Sequence, residues 1–135
     1  MVVGGPWEPE YAERGGWETE AAGPAVARRA GMESAEAVVA DARRGDRKAL
    51  DALRRTADYL ALGIAGLIGI LDPEMVVLGG GLMQTSDLMM ERIRSQVLCW
   101  TQPIAATRVR IETTALGEDA GLLGAARLAW LEAGL

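Results

Sequence analysis

Between Leu71 and Leu82 the chain reads LDPEMVVLGGGL. Asp72-Pro73 ends any helix before it, because the proline ring removes an N–H donor and restricts its predecessor. Met75 to Leu78 is a short apolar run without polar alternation, the pattern of a strand buried in a parallel sheet. Gly79, Gly80 and Gly81 follow at once, so this strand leaves through a backbone-only turn. Two readings of the turn stay open. Bare backbone N–H groups ahead of a helix can approach an anion closely. A strand-to-helix turn that needs positive φ also asks for glycine.

Upstream, Leu50, Leu53, Ala57, Leu60, Ala61, Ile64, Ala65 and Ile68 recur at three- and four-residue steps, predicting a helix from about Arg47 to Leu71 capped by Asp46. From Tyr59 onward it is apolar nearly all round, which predicts burial on most sides. Gly63, Gly66 and Gly69 each cost roughly 1 kcal/mol against alanine in a helix, so a second backbone is expected close by. Before it come a helix from Pro24 to Ala30, stopped by Gly31, and another from Ser34 to Arg44. Downstream, Ser86 or Asp87 caps a helix to about Cys99, Arg108 to Thr113 alternates as a strand, and Gly117 leads into a helix from Gly121 to Glu132. The order is that of an α/β layer with a right-handed crossover. Two strands are few for a sheet, and the fold reads as incomplete.

The 135 residues are half apolar and 24% charged, as in a globular chain, with four Trp, two Tyr and no Phe. A net charge of −5 argues against a nucleic-acid groove. The single Cys99 excludes an internal disulfide, and the absence of histidine removes the commonest general base and metal ligand. The most apolar run, Tyr59 to Leu71, is 13 residues long. A membrane span needs roughly 20, so a cytoplasmic chain is expected. Residues 1–16, rich in Gly, Pro and Glu, read as an irregular arm, and 17–135 as one lobe.

Two further stretches carry information. LGEDAGLLGAARLA, Leu116 to Ala129, gives a helix with a flat face of small residues, in which Glu118 and Asp119 serve first as caps. GGWETEAAGP, Gly15 to Pro24, places Glu18 just before a helix start, where it could simply be solvated. Met83, Met89 and Met90 read as core filler rather than ligands.

In this order and spacing, Gly15–Pro24, Gly45-Asp46, Leu71–Gly81 and Leu116–Ala129 resemble the ROK family of bacterial glucokinases, other hexose and amino-sugar kinases, and sugar-responsive repressors. The resemblance implies the C-terminal lobe of an actin-like, ribonuclease H-like ATPase domain, helix-rich with a small sheet and incomplete relative to the family. It implies that Gly79, Gly80 and Gly81 lie near the phosphates and ribose of ATP, with Mg expected in the complete protein. It also implies that Glu18 hydrogen-bonds hydroxyls of a hexose. The family's metal element has the pattern CxCGxxGCxE. Aligned on Glu18, its cysteine positions are Pro9, Tyr11 and Gly16, so no zinc is expected and the arm should be looser for it.

The family's phosphate loop and catalytic aspartate lie in segments ahead of that element, and no residue here is assigned a catalytic role. The chain alone is therefore expected not to phosphorylate sugar. It would need an N-terminal lobe or a second chain. The alternatives are a non-catalytic remnant of a sugar-responsive regulator and an orphan lobe that associates with itself.

Overall fold

The computed structural model describes residues 8–134, so the Gly4-Gly5 pair and most of the first half of the arm lie outside the described residues. Five helices precede the first strand: α1 (Glu10–Arg14), α2 (Gly16–Ala21), α3 (Gly23–Ala30), α4 (Ala35–Arg43) and α5 (Arg47–Leu71). Then come β1 (Met75–Leu78), a 3₁₀ turn over Gly81–Thr85, α6 (Ser86–Trp100), α7 (Pro103–Ala106), β2 (Arg110–Thr113), a second 3₁₀ turn over Gly117–Asp119, and α8 (Ala120–Glu132).

The helix boundaries have local causes. Pro24 sits in the first turn of α3, and Gly31 closes that helix in the left-handed conformation, φ 67°. The Ser34 hydroxyl accepts from the Ala37 N–H at 3.2 Å to start α4. The Asp46 carboxylate accepts from the Ala49 N–H at 2.8 Å to start α5. α5 is the spine. Leu53, Ala57, Ala61, Ile64 and Ile68 on it meet Val26 of α3, Val38 of α4, and Met89, Ile93 and Val97 of α6 in one buried cluster. Met83, Met89 and Met90 are all buried, as expected of core filler. β1 and β2 pair in parallel, with Met75 opposite Arg110 and Leu78 opposite Thr113.

The structure departs from the sequence reading in several places. Part of the arm is helical: α1, and Gly16 at the start of α2, occupy residues where an irregular segment was expected. Neither Ser86 nor Asp87 caps α6, because the 3₁₀ turn runs straight into it, and Thr85 spends its hydroxyl on the Leu82 carbonyl at 2.7 Å. β2 begins two residues late, since α7 takes up the chain before it and the N–H groups of Arg108 and Val109 bond to the Ala105 carbonyl. The C-terminal half of α5 is not buried on most sides, with Leu67, Ile70 and Leu71 exposed. Among the described residues no second backbone comes near Gly66 or Gly69. At Gly63 the neighbour is the Trp17 indole, and added Cβ atoms at Gly66 and Gly69 would meet nothing within 4 Å. One face of β1, Met75 and Val77, is likewise open. α8 buries no residue at all. Among the described residues no helix is long and apolar enough to cross a membrane.

A polar cluster ties the first helices to the spine. The Tyr11 hydroxyl donates to Glu20 at 2.8 Å, and that bond is the main cause that raises the Tyr11 pKa. Glu20 also pairs with Arg28 at 3.3 Å and with Arg29. Arg29 donates to Thr56 at 2.7 Å and lies over the Tyr59 ring at 4.7 Å. Trp17 Nε1 donates to the Tyr59 carbonyl at 2.8 Å. The first two helices are thus held by tyrosine, tryptophan and carboxylate contacts.

Candidate functional site

A cleft of about 540 Å³ opens between the start of α3, the outer face of α4 and the 3₁₀ turn after β1. Gly23, Glu36, Val39, Arg43, Gly81 and Gln84 are among its lining residues. Its shape follows from small residues at the element starts. A Cβ on Gly23 would touch the Ala35 Cβ at 3.7 Å, so α3 and α4 begin in close contact. Behind the far wall Gly80 holds φ 93° and ψ 173°, a conformation that any residue with a Cβ strongly disfavours. Gly81 then opens the turn, and a Cβ there would meet nothing within 4 Å, leaving its backbone accessible. The first N–H groups of such a turn have no partner within it and are free to meet an acceptor.

The cleft carries both charges. The Glu36 carboxyl is held below the ordinary carboxylate range, first by its own backbone N–H and then by the Ser34 hydroxyl. It is thereby a weaker base than a free glutamate. Arg43 reaches across from α4 to Asp87 in the first turn of α6, at 3.3 Å, bridging the two walls. Val39 and Leu82 supply apolar surface. A pocket of this size, with apolar walls and a few polar groups, is of the kind that takes a small organic ligand.

The residues singled out from sequence are only partly brought together. Gly81 lines the cleft, while Gly79 and Gly80 stand behind it at the end of β1, where a Cβ on Gly79 would press on the Thr114 methyl at 3.4 Å. The conformational need falls at Gly80, which among these three glycines holds a positive φ, while the space beside Gly81 is open. Glu18 lies exposed in the first turn of α2, outside the lining of this cleft, and its carboxylate bonds to no other described residue. Sequence reasoning missed Gly23, Glu36, Val39, Arg43 and Gln84. The signal for Gly23 was present in Gly23-Pro24 but served only to mark a helix start. The others come from helix faces whose outward positions look like ordinary surface.

Comparison with known proteins gives the family of the chain. A model of the ROK family matches residues 12–132. The chain is 38% identical to the glucokinase of Thermotoga maritima over 84 residues, 62% of this chain and 26% of that one. It is 33% identical to the N-acetyl-D-glucosamine kinase of Shigella flexneri over 84 residues, 62% of this chain and 27% of the other. Among solved structures, a ROK family glucokinase from Streptomyces griseus in complex with glucose and AMPPNP superposes with a TM-score of 0.73 at 28% identity, covering 83% of this chain and 43% of that one. A ROK family transcriptional regulator, a homologue of the E. coli MLC protein, superposes with a TM-score of 0.73 at 19% identity, covering 84% and 33%. This chain spans about a quarter of the length of the curated relatives it matches.

Proposed function

The chain belongs to the ROK family, and from that premise we propose that it forms the nucleotide-side lobe of an ATP-dependent hexose kinase. The observation that carries this reading is the cleft itself, where open backbone at Gly81, fixed by the positive φ of Gly80, faces a pocket about the size of a small ligand. Phosphate oxygens would lie near Gly79–Gly81, and the base and ribose against Gly23, Val39 and Gln84. The residues present fit such a ligand. Mg would arrive with the phosphates and keep much of its water, since Glu36 is the one carboxylate in the lining among the described residues. The Streptomyces griseus relative, solved with glucose and AMPPNP, supports a nucleotide and a sugar as the two ligands.

Glu18 is the proposed sugar contact. A free carboxylate accepts two hydroxyl donors, and its freedom from other partners here leaves it available.

These residues assayed alone are proposed not to transfer the phosphoryl group. The reaction needs a carboxylate beside the sugar hydroxyl to take its proton. Asp46 caps α5, and Asp72 and Asp119 flank helix ends. Glu36, with its lowered pKa, is a poor base. The open apolar surfaces on α8 and on the C-terminal half of α5 are the proposed seat of a second lobe or a second copy.

Calorimetric titration with MgATP tests the reading. A Kd on the order of 1 mM or tighter, abolished by Gly80→Val in a chain that keeps its helical circular dichroism, supports it. No heat from the folded chain would overturn the nucleotide assignment. The regulator reading has a neighbour of equal TM-score, but the higher identities lie with the kinases. It would gain if glucose bound and MgATP did not.

A further inference from the structure

The sheet of β1 and β2 has two outer edges, and only one of them is covered. In the ladder between the strands the Arg110 N–H donates to the Glu74 carbonyl at 3.0 Å, and the Thr114 N–H to the Leu78 carbonyl at 2.8 Å. That register turns the backbone groups of Val76 and Leu78 toward β2 and those of Met75 and Val77 away from it. On β2 the outward residues are Ile111 and Thr113. Arg94 of α6 lies over that edge, its Nε and Nη2 donating to the Ile111 carbonyl at 3.1 and 2.8 Å. Nη2 also meets the Glu112 carboxylate at 3.1 Å. The edge of β1 has no such cover, and the outward N–H and C=O groups of Met75 and Val77 bond to no described residue. Their side chains are exposed as well, Val77 at 57%, as are Ile70 and Leu71 just ahead of the strand. β1 carries neither charge nor proline, the devices that keep a bare edge from pairing.

We propose that the outer edge of β1 pairs with the same edge of a second copy of this chain, antiparallel about a two-fold axis. Unmet N–H and C=O groups in alternation fit an extended backbone, as in strand addition to a sheet. The strand MVVL suits itself as that partner. With the axis at Val76, Met75 of one copy faces Val77 of the other, and each such pair exchanges both of its N–H···O bonds. Uncharged side chains then meet uncharged ones, and the two Glu74 carboxylates stay at opposite ends of the pair. A second copy also closes the assembly. The joined sheet has β2 at both outer edges, each covered by its own Arg94, so growth stops at two. The inference is independent of the nucleotide reading of the cleft.

Sedimentation equilibrium of the purified chain tests it, over about 5–200 μM, the range suited to a small interface. A monomer–dimer equilibrium is expected. Val77→Pro removes an outward N–H without touching the ladder to β2, and the bond is lost twice by symmetry. The dimer should weaken roughly tenfold or more. If the proline chain loses its helical circular dichroism, Val77→Lys takes its place, since a lysine on the edge opposes pairing. Thr113→Pro, the same change at the outer edge of β2, should leave the dimer intact. Arg94→Ala should keep the dimer and add larger species, because it uncovers the second edge. A folded chain that stays monomeric over the whole range would leave the edge to some other polypeptide and overturn the proposal. So would a dimer that ignores both Val77 changes and is broken by Leu128→Ser, which would put the interface on α8.

Discussion

α6 and α8 are helices of 15 and 13 residues, and α8 is the more apolar of the two, yet their fates are opposite. Met89, Met90, Ile93 and Val97 of α6 are buried against α5. In α8, Leu122, Leu123, Leu128, Trp130 and Leu131 are all exposed, Leu122 at 71%. Hydrophobic content states how much a helix gains from a neighbour, and the fold decides whether a neighbour is there. The same split runs within α5, whose first half is pinned by α3, α4 and α6 while Ile70 and Leu71 at its end look outward.

The largest effect expected from this contrast is on stability. Ile93→Ala should cost about 3 kcal/mol by the lost methylenes and the cavity left behind, whereas Leu128→Ala should change stability by less than about 0.5 kcal/mol. Urea unfolding of both variants would decide, and equal losses would break the distinction between the two helices. Next, Arg29→Met should cost about 2 kcal/mol, since it leaves the half-buried Glu20 and the Thr56 hydroxyl short of a partner. A loss as small as that of Leu128→Ala would mean that the first three helices hold to α5 by apolar contact alone. Within α5 itself the glycines sharpen the point. Gly63→Ala drives a methyl into the Trp17 indole and should destabilise by about 1–2 kcal/mol, while Gly66→Ala, in open space, should stabilise by up to about 1 kcal/mol. Thermal melts of the pair give the signs directly.

The smallest effect is electrostatic. The Glu36 pKa is lowered in the folded chain, so its contribution to stability is complete above the ordinary carboxylate range and is lost as pH falls through the lowered value. Glu36→Gln should therefore flatten the acid limb of a stability–pH profile by lowering stability slightly at neutral pH, leaving strongly acidic pH nearly unchanged. A limb that keeps its slope would show that other carboxylates carry it.

The parts of the fold that were legible in sequence are those set by local chemistry. Asp46, Ser34 and Gly31 act at their own helix ends, the spacing of Leu53, Ala57, Ile64 and Ile68 needs only the helical period, and Met75–Leu78 needs only its composition. What sequence left out depends on distant partners. The indole over Gly63 comes from Trp17, and the Glu20–Arg29–Thr56 contacts join residues from three helices. The candidate site divides the same way. The run Gly79–Gly81 allowed for a positive φ, which falls at Gly80, but Glu36, Arg43 and Gln84 share a cleft only because α4 packs beside the turn after β1. Family resemblance supplied Glu18 and the glycines as ligand contacts, and no physical signal in Glu18 itself separates it from a solvated side chain.

The parallel pairing of β1 with β2 also sets an order of events. Met75 and Arg110 lie 35 positions apart, with all of α6 between them, so the strands cannot meet until α6 has turned back along α5. Closing that loop before the helices dock would cost chain entropy with only four residues of pairing on each strand to offset it. The folding nucleus is then helical, centred where Ile64 and Ile68 meet Ile93, and the sheet closes last. Changes in β1 or β2 should speed unfolding and leave the refolding rate nearly untouched, while changes at Ile93 should slow refolding. The glycine turn, carried at the end of β1, would take its final shape only in that last step.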